Sequence, residues 1–371
     1  MRLRLLLTLS LLAAVALVSC DGESDPEPDR GPEPASAADG ETRTRPPNEA
    51  LVSVRSWFYL LDVNLEDERV DQIAASSYEM VVIDFIPSEV QNTDYPIADV
   101  VARLAGGETR RLVLAYIDIG QAEDYRTYWR PGWRIGEPDW IVAIDPDGWE
   151  GNFPVAYWRD EWQSIWTGPG GYLQAILDAG FDGVYLDWVE AYSDENVLAV
   201  AERDGVDAQQ EMVRWVGEIA RFGRERSPGF IVIGQNAAEL AGDDDYVAVI
   251  DAIAQEQVWF DGAADNDPPG DCPLPRTEAD IDSDAYRDSL SEPCRRQFDE
   301  FDDSTLHVSS EQYVAALTAA QQKGVLIFTV DYAVEPDNVA WTYETSRALG
   351  FVPFVSNRAL NQFVEPNGVA P

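Results

Sequence analysis

The feature that most constrains the fold is a repeat of pattern rather than of residues. A short apolar, β-branched run ends in a polar or acidic residue and gives way to an amphipathic stretch. The runs cover 56–62, 80–85, 111–120, 183–188, 230–236, 249–260, 324–332 and 351–357, eight in all. Most show no alternation of polar and apolar residues, as expected for strands buried on both faces. Helix-length segments lie between them. Residues 65–78 carry the apolar Leu65, Val70, Ile73 and Ala74, and 171–179 run into Gly180, a natural stop. Residues 208–226 end before Ser227-Pro228-Gly229, and 310–323 end at Gly324. Strand and helix alternating eight times predict an α/β chain folded as a single-domain (β/α)8 TIM barrel, over 51–371. An open doubly wound sheet is the alternative, but no Gly-rich phosphate loop follows the first run.

The N-terminus points to export. Arg2 and Arg4 precede an apolar run over 5–18, shorter than the ~20 residues of a spanning helix. Such a run fits a secretory signal over 1–19. It closes on Leu17-Val18-Ser19-Cys20, which looks like a lipobox and predicts a lipidated Cys20. Residues 20–50 are rich in Asp, Glu, Pro, Gly and Ala, too poor in large apolar side chains to offset ordering, and read as a disordered acidic tether. The expectation is an exported lipoprotein, periplasmic or at the cell surface, that meets the membrane only through its anchor.

The charge narrows the partners. Asp and Glu number 68 against 26 Lys and Arg, for a net −42, and the one lysine is Lys323. Such a surface repels nucleic acid and anionic membranes. It resembles the surfaces of halophilic proteins, where salt screens self-repulsion, and it also suits a cationic substrate.

Two segments interrupt the repeat. Residues 130–168, after the third strand, hold Trp133, Trp140, Trp149, Trp158, Trp162 and Trp166, with Trp129 just before. Residues 261–303, after the sixth, are acidic and contain Cys272 and Cys294. Both follow strand C-termini, so both are predicted to rise over the face where barrels hold their active sites. With Cys20 committed to lipid, Cys272 and Cys294 form an even pair in an oxidising compartment, and a disulfide is the expected use.

Polar residues at strand ends point into the mouth of a barrel. Here they are Asp62, Asp84, Asp118, Asp187, Glu256 and Asp331, with Trp57, Tyr59, Tyr116, Tyr185, Trp188 and Tyr332 beside them. The only histidine is His307, which argues against Ser-His-Asp, Cys-His and most zinc chemistry. No metal or organic cofactor is called for. Acids and aromatics suit sugars: rings stack on pyranoses, and paired carboxylates protonate a leaving oxygen and attack or activate water on the other side. Asp187 ends the otherwise uncharged run Gly183-Val184-Tyr185-Leu186, where an ionised group is costly without a partner. Glu256 ends a similar run, from Asp251 to Gln255. These two are the expected catalytic pair.

Three segments carry a family resemblance. They are 115–126 (Ala-Tyr-Ile-Asp-Ile-Gly-Gln-Ala-Glu-Asp-Tyr-Arg), 180–187 (Gly-Phe-Asp-Gly-Val-Tyr-Leu-Asp) and 234–236 (Gly-Gln-Asn). Together they resemble the polygalactosaminidase-like barrels of glycoside hydrolase family 114, over roughly 55–360. Some relatives are labelled as related to cysteinyl-tRNA synthetase, but nothing in this chain looks like a nucleotide site. The resemblance implies an endo-acting hydrolase of α-1,4-linked galactosamine-rich polysaccharide. Its carboxylates would lie at the ends of strands four and six, which match Asp187 and Glu256. The roles expected are Glu256 as general acid and Asp187 as nucleophile or base. Asp84, Asp118, Gln235, Asn236 and Asp331 would then bind sugar hydroxyls or amino groups, beside Tyr59, Tyr116, Tyr185 and Trp188. Glu123 and Asp124 read as the acidic first turn of a helix, with Tyr125 and Arg126 reaching the mouth. The chain departs from the family pattern at 237–240 (Ala-Ala-Glu-Leu), where Gly or another acid is expected, and in the long segment 261–303. The alternatives are a non-catalytic glycan-binding barrel and a structural envelope lipoprotein.

Overall fold

In the computed structural model the described residues are 46–61, 65–85, 94–107, 110–146, 148–281, 283–301 and 304–366. Cys20, the signal segment, most of the tether and Asp62 lie outside them. All described residues belong to one unit, 41–371.

Eight strands form one parallel sheet in sequential order: β1 (Trp57–Leu60), β2 (Met80–Asp84), β3 (Leu112–Asp118), β4 (Gly183–Asp187), β5 (Ile231–Gln235), β6 (Ala252–Glu256), β7 (Leu326–Tyr332) and β8 (Val352–Ser356). Each falls inside one of the eight apolar runs, and nearly every strand residue is buried. At the seam between β1 and β8, the Leu61 amide donates to the Leu360 carbonyl at 2.9 Å. The Trp57 indole donates to the Val352 carbonyl at 3.0 Å, and the Phe58 and Phe354 rings pack 5.6 Å apart. Aromatic rings also fill the interior, with Tyr59 4.8 Å from Tyr185 and Trp57 5.5 Å from Phe328. The barrel is thus a packed core and not a pore.

Helices follow the strands where amphipathic stretches were read. Asp67–Ala75, Tyr172–Ala179, Ala208–Arg226 and Ser310–Gln322 lie within or on the expected segments. Gly180 ends its helix with φ of 90°, and Ser309 with Gln312 forms a reciprocal capping box on the helix that follows. Among the described residues no helix is long and apolar enough to cross a membrane.

Of the run 249–260, the first residue ends the helix Asp244–Val249, and the strand β6 occupies only Ala252–Glu256. The helix expected to start at Glu123 is absent. Gln121–Glu123 instead pairs antiparallel with Asn152–Pro154. This hairpin carries the Trp-rich segment, which is largely a packing device: Trp140 lies 4.9 Å from Trp133 and 5.2 Å from Trp162. After β6, Phe260–Asp261 pairs with Cys272–Pro273, and helices Asp284–Ser289 and Glu292–Glu300 follow. The Cys272–Cys294 disulfide ties the hairpin to the second of these helices, with Cα atoms 5.3 Å apart. Leu274, Tyr286, Leu290 and Leu306 build a small core around it.

Candidate functional site

The C-terminal ends of the strands open into a cleft of about 840 Å³, walled by both insertions. Three successive strands end in the same way. Trp188, Asn236 and Gln257, each directly after its strand, are non-glycine residues at φ 54°, 56° and 56°. Left-handed backbone costs an L-residue about 1–2 kcal/mol, and strain held at a cleft is a mark of function. Ala237 continues it at φ 49°, in the stretch where the resemblance leads one to expect Gly. Gly120 also has a local reason: a Cβ there would lie 2.3 Å from the Trp188 carbonyl oxygen. The glycine of the 115–126 motif therefore lets the ends of β3 and β4 meet.

Asp187 and Glu256 both line the cleft. The Tyr116 hydroxyl donates to Asp187 Oδ2 at 2.5 Å and the Trp188 amide to Oδ1 at 2.7 Å. Glu256 Oε2 accepts from Gln235 Nε2 at 2.5 Å and from Asn236 Nδ2 at 3.3 Å, and the Tyr332 hydroxyl donates to Oε1. Burial, and then the charge of Glu256, push Asp187 up to about 7 against the two donors that hold it ionised.

Around them, Tyr59 donates to Gln235 Oε1 at 3.3 Å. Asn236 accepts from the Glu256 amide at 2.9 Å and donates to Glu190 Oε1 at 2.8 Å. Glu190, absent from the sequence reading, also lines the cleft, and its Oε2 is buried with no hydrogen-bond partner. Burial, and next the charge of Asp187, push it up to about 8. Glu123 does not open a helix but is buried and clasps Arg126 through two contacts of 2.8 Å, while Arg126 Nη1 lies 2.8 Å from Asp84 Oδ1. Tyr125 donates to Glu123 at 2.7 Å. Asp84, Glu123, Tyr125 and Arg126 thus form one wall of the cleft. Its lining holds ten carboxylates against the three arginines Arg126, Arg296 and Arg358.

Ten of the thirteen residues expected at the site line this cleft: Tyr59, Asp84, Tyr116, Tyr125, Arg126, Asp187, Trp188, Gln235, Asn236 and Glu256. Three do not. Tyr185 is fully buried beneath Tyr59, so it packs the barrel instead of meeting a ligand. Asp118 is buried and accepts from the amides of Gly120 at 3.0 Å and Gln121 at 2.7 Å, which fixes the turn after β3. Asp331 accepts from the amides of Trp259 at 2.7 Å and Phe260 at 3.2 Å, which ties down the loop after β6.

Asp331 supports a prediction. Burial pushes its carboxyl up to about 7, against the amides that stabilise the ionised form. A raised acid favours the folded state while protonated. That stability is full below the ordinary Asp value of ~4 and is lost as pH rises through about 7. Asp331→Asn keeps an acceptor for the amides and has nothing to ionise. Its melting temperature, relative to wild type, is expected to climb between acid and mildly alkaline pH. Parallel curves would contradict this.

Among the described residues no group of three or more His, Cys, Asp or Glu side chains is arranged to hold a metal ion. The chemistry on offer is that of carboxyl groups, amides and phenols.

A model of glycoside-hydrolase family GH114 matches residues 33–369. An uncharacterized protein of Deinococcus radiodurans is 33% identical over 360 residues, covering 95% of this chain and 98% of its own. One from Thermotoga maritima is 33% identical over 215 residues, 57% of this chain and 64% of its own. Among solved structures, Aspergillus fumigatus Ega3 in complex with galactosamine superposes with a TM-score of 0.53 at 16% identity, over 88% of this chain and 98% of that one. The glycoside hydrolase domain of PelA from Pseudomonas aeruginosa gives 0.53 at 14% identity, over 84% and 97%. At such identities the two structures speak for the fold. The family match spans nearly the whole chain, and the chain belongs to glycoside-hydrolase family GH114.

Proposed function

We propose that the protein is an endo-acting hydrolase of α-1,4-linked, galactosamine-rich polysaccharide, with Asp187 and Glu256 as its two working carboxyl groups. The observation that carries the reading is their convergence: they come from β4 and β6, face one cleft and are electrostatically coupled. A glycosidase needs one carboxyl to protonate the leaving oxygen and another to attack the anomeric carbon or activate water. In this reading Glu256 is the donor and Asp187 the nucleophile or base. The excess of carboxylates in the lining favours a cationic amino sugar over a neutral one. The open cleft, walled by two insertions, suits a chain bound along its length. We further propose that the enzyme works at the cell envelope, exported and anchored through lipid on Cys20, with a surface adapted to high salt.

The test is incubation of the wild-type protein, at high salt, with galactosamine polymer, its N-acetylated form and glucosamine polymer. Release of oligosaccharides from the first is expected. Binding without cleavage would replace this reading with the glycan-binding one. The division of roles is tested with Glu256→Gln. If Glu256 is the donor, this variant retains far more activity on substrates with an activated aryl leaving group than on the polymer. Equal loss on both would reverse the roles.

Asp187 also sets a pH dependence. As nucleophile or base it has to be ionised, and its carboxyl is pushed up to about 7. Below this, kcat/KM is expected to fall about tenfold per pH unit. A profile flat from pH 5 to 7 would show that ionisation of Asp187 does not limit the reaction.

A further inference from the structure

The acidic insertion after β6 walls the cleft and carries an unusual side chain. Phe301, at the C-cap of the helix Glu292–Glu300, is 55% exposed. Every other Trp, Tyr and Phe of the described residues is at least partly buried. Single exposed apolar residues are ordinary on protein surfaces, but Phe301 lines the same cleft as Asp187 and Glu256.

It is also held in place. The disulfide pins the first turn of its helix through Cys294. From the last turns, Gln297 donates to the buried carboxylate of Asp261 at 2.9 Å. The Phe301 amide donates to the Gln297 carbonyl at 3.2 Å, and the Phe301 carbonyl accepts from Ser304 at 3.1 Å. The backbone is therefore fixed on both sides while the ring stays in solvent. Loss of freedom on binding would be small, which is what a preorganised contact requires.

We propose that Phe301 is a stacking platform for a pyranose ring of the polymer, a distal subsite that the disulfide-pinned insertion adds to the cleft. Glu300 lines the cleft beside it and supplies a carboxylate for an amino group on that sugar. The subsite rests on the glycan reading of the cleft. It extends that reading by making the insertion a determinant of substrate length.

The test uses the full chain with Asp187→Asn as a non-cleaving background, and measures affinity for long galactosamine polymer and for a short oligomer. Adding Phe301→Ala is expected to weaken polymer binding roughly three- to tenfold, the worth of one aromatic stack. The short oligomer should bind unchanged, and Phe301→Trp should restore the polymer. Unchanged affinity for polymer would overturn the proposal, and so would equal loss at both lengths, which would mark Phe301 as a merely structural residue. If the Asp187→Asn protein binds neither ligand, the glycan reading itself fails. In the otherwise wild-type enzyme, Phe301→Ala should raise KM for the polymer and leave kcat alone.

Discussion

Asp187→Asn is expected to lower polymer cleavage by ~10³-fold or more while the protein stays folded. That factor corresponds to about 4 kcal/mol of lost barrier reduction, reasonable for a positioned charge acting in a site shielded from water. The substitution keeps size and shape. An Asn oxygen can still accept from the Tyr116 hydroxyl or the Trp188 amide, which now hold the carboxylate at 2.5 and 2.7 Å. The charge is gone, however, and with it the ability to attack or to act as base. Stability should not suffer, because burial and Glu256 already make ionised Asp187 unfavourable in the fold. The measurements are kcat/KM on galactosamine polymer and a melting curve, both beside wild type. Cleavage at the wild-type rate would remove Asp187 from the mechanism even if the substrate is right. Loss of activity together with loss of fold would leave Glu256→Gln to decide, since its neutral amide can still meet Gln235 and Tyr332.

The barrel was legible because strands covered on both faces have to be apolar throughout. The placement of Asp187 and Glu256 in the cleft was legible for a related reason: a lone acid at the end of such a strand is costly unless it faces a polar site. Failures arose where local signals competed with distant partners. Glu123-Asp124 has the composition of a first helical turn, but Gln121–Glu123 finds a strand partner at Asn152–Pro154, about thirty residues on. Nothing local encodes that pairing, and it turns Glu123 inward onto Arg126. Glu190 was passed over because it lies beyond the strand, in the short 3-10 helix Val189–Ser193 that left-handed Trp188 introduces. Asp118 could have been read correctly. An Asp two residues before Gly120 is a turn signal, since its carboxylate can accept the amides that follow. Asp331 gave no such sign, because its partners Trp259 and Phe260 precede it by more than seventy residues.

Arg126→Met should be the most damaging single change in the wall of the cleft, at about 3–5 kcal/mol. Arg126 is buried, and it holds two carboxylates that are buried as well, Asp84 and Glu123. Methionine can fill much of the space against Tyr125, whose ring centre lies 5.2 Å from the guanidinium carbon. It cannot supply charge. Two acids would then sit out of water without the cation between them. A surface salt bridge lost to mutation would give a deficit of only about 1 kcal/mol or less. Combining Arg126→Met with Asp84→Asn and Glu123→Gln should recover much of the loss, because no buried charge remains unmatched. Chemical denaturation of the single and triple variants beside wild type measures both the loss and its recovery. A single variant as stable as wild type would mean that water reaches this wall and screens it, and the low-dielectric account of the wall would have to be given up.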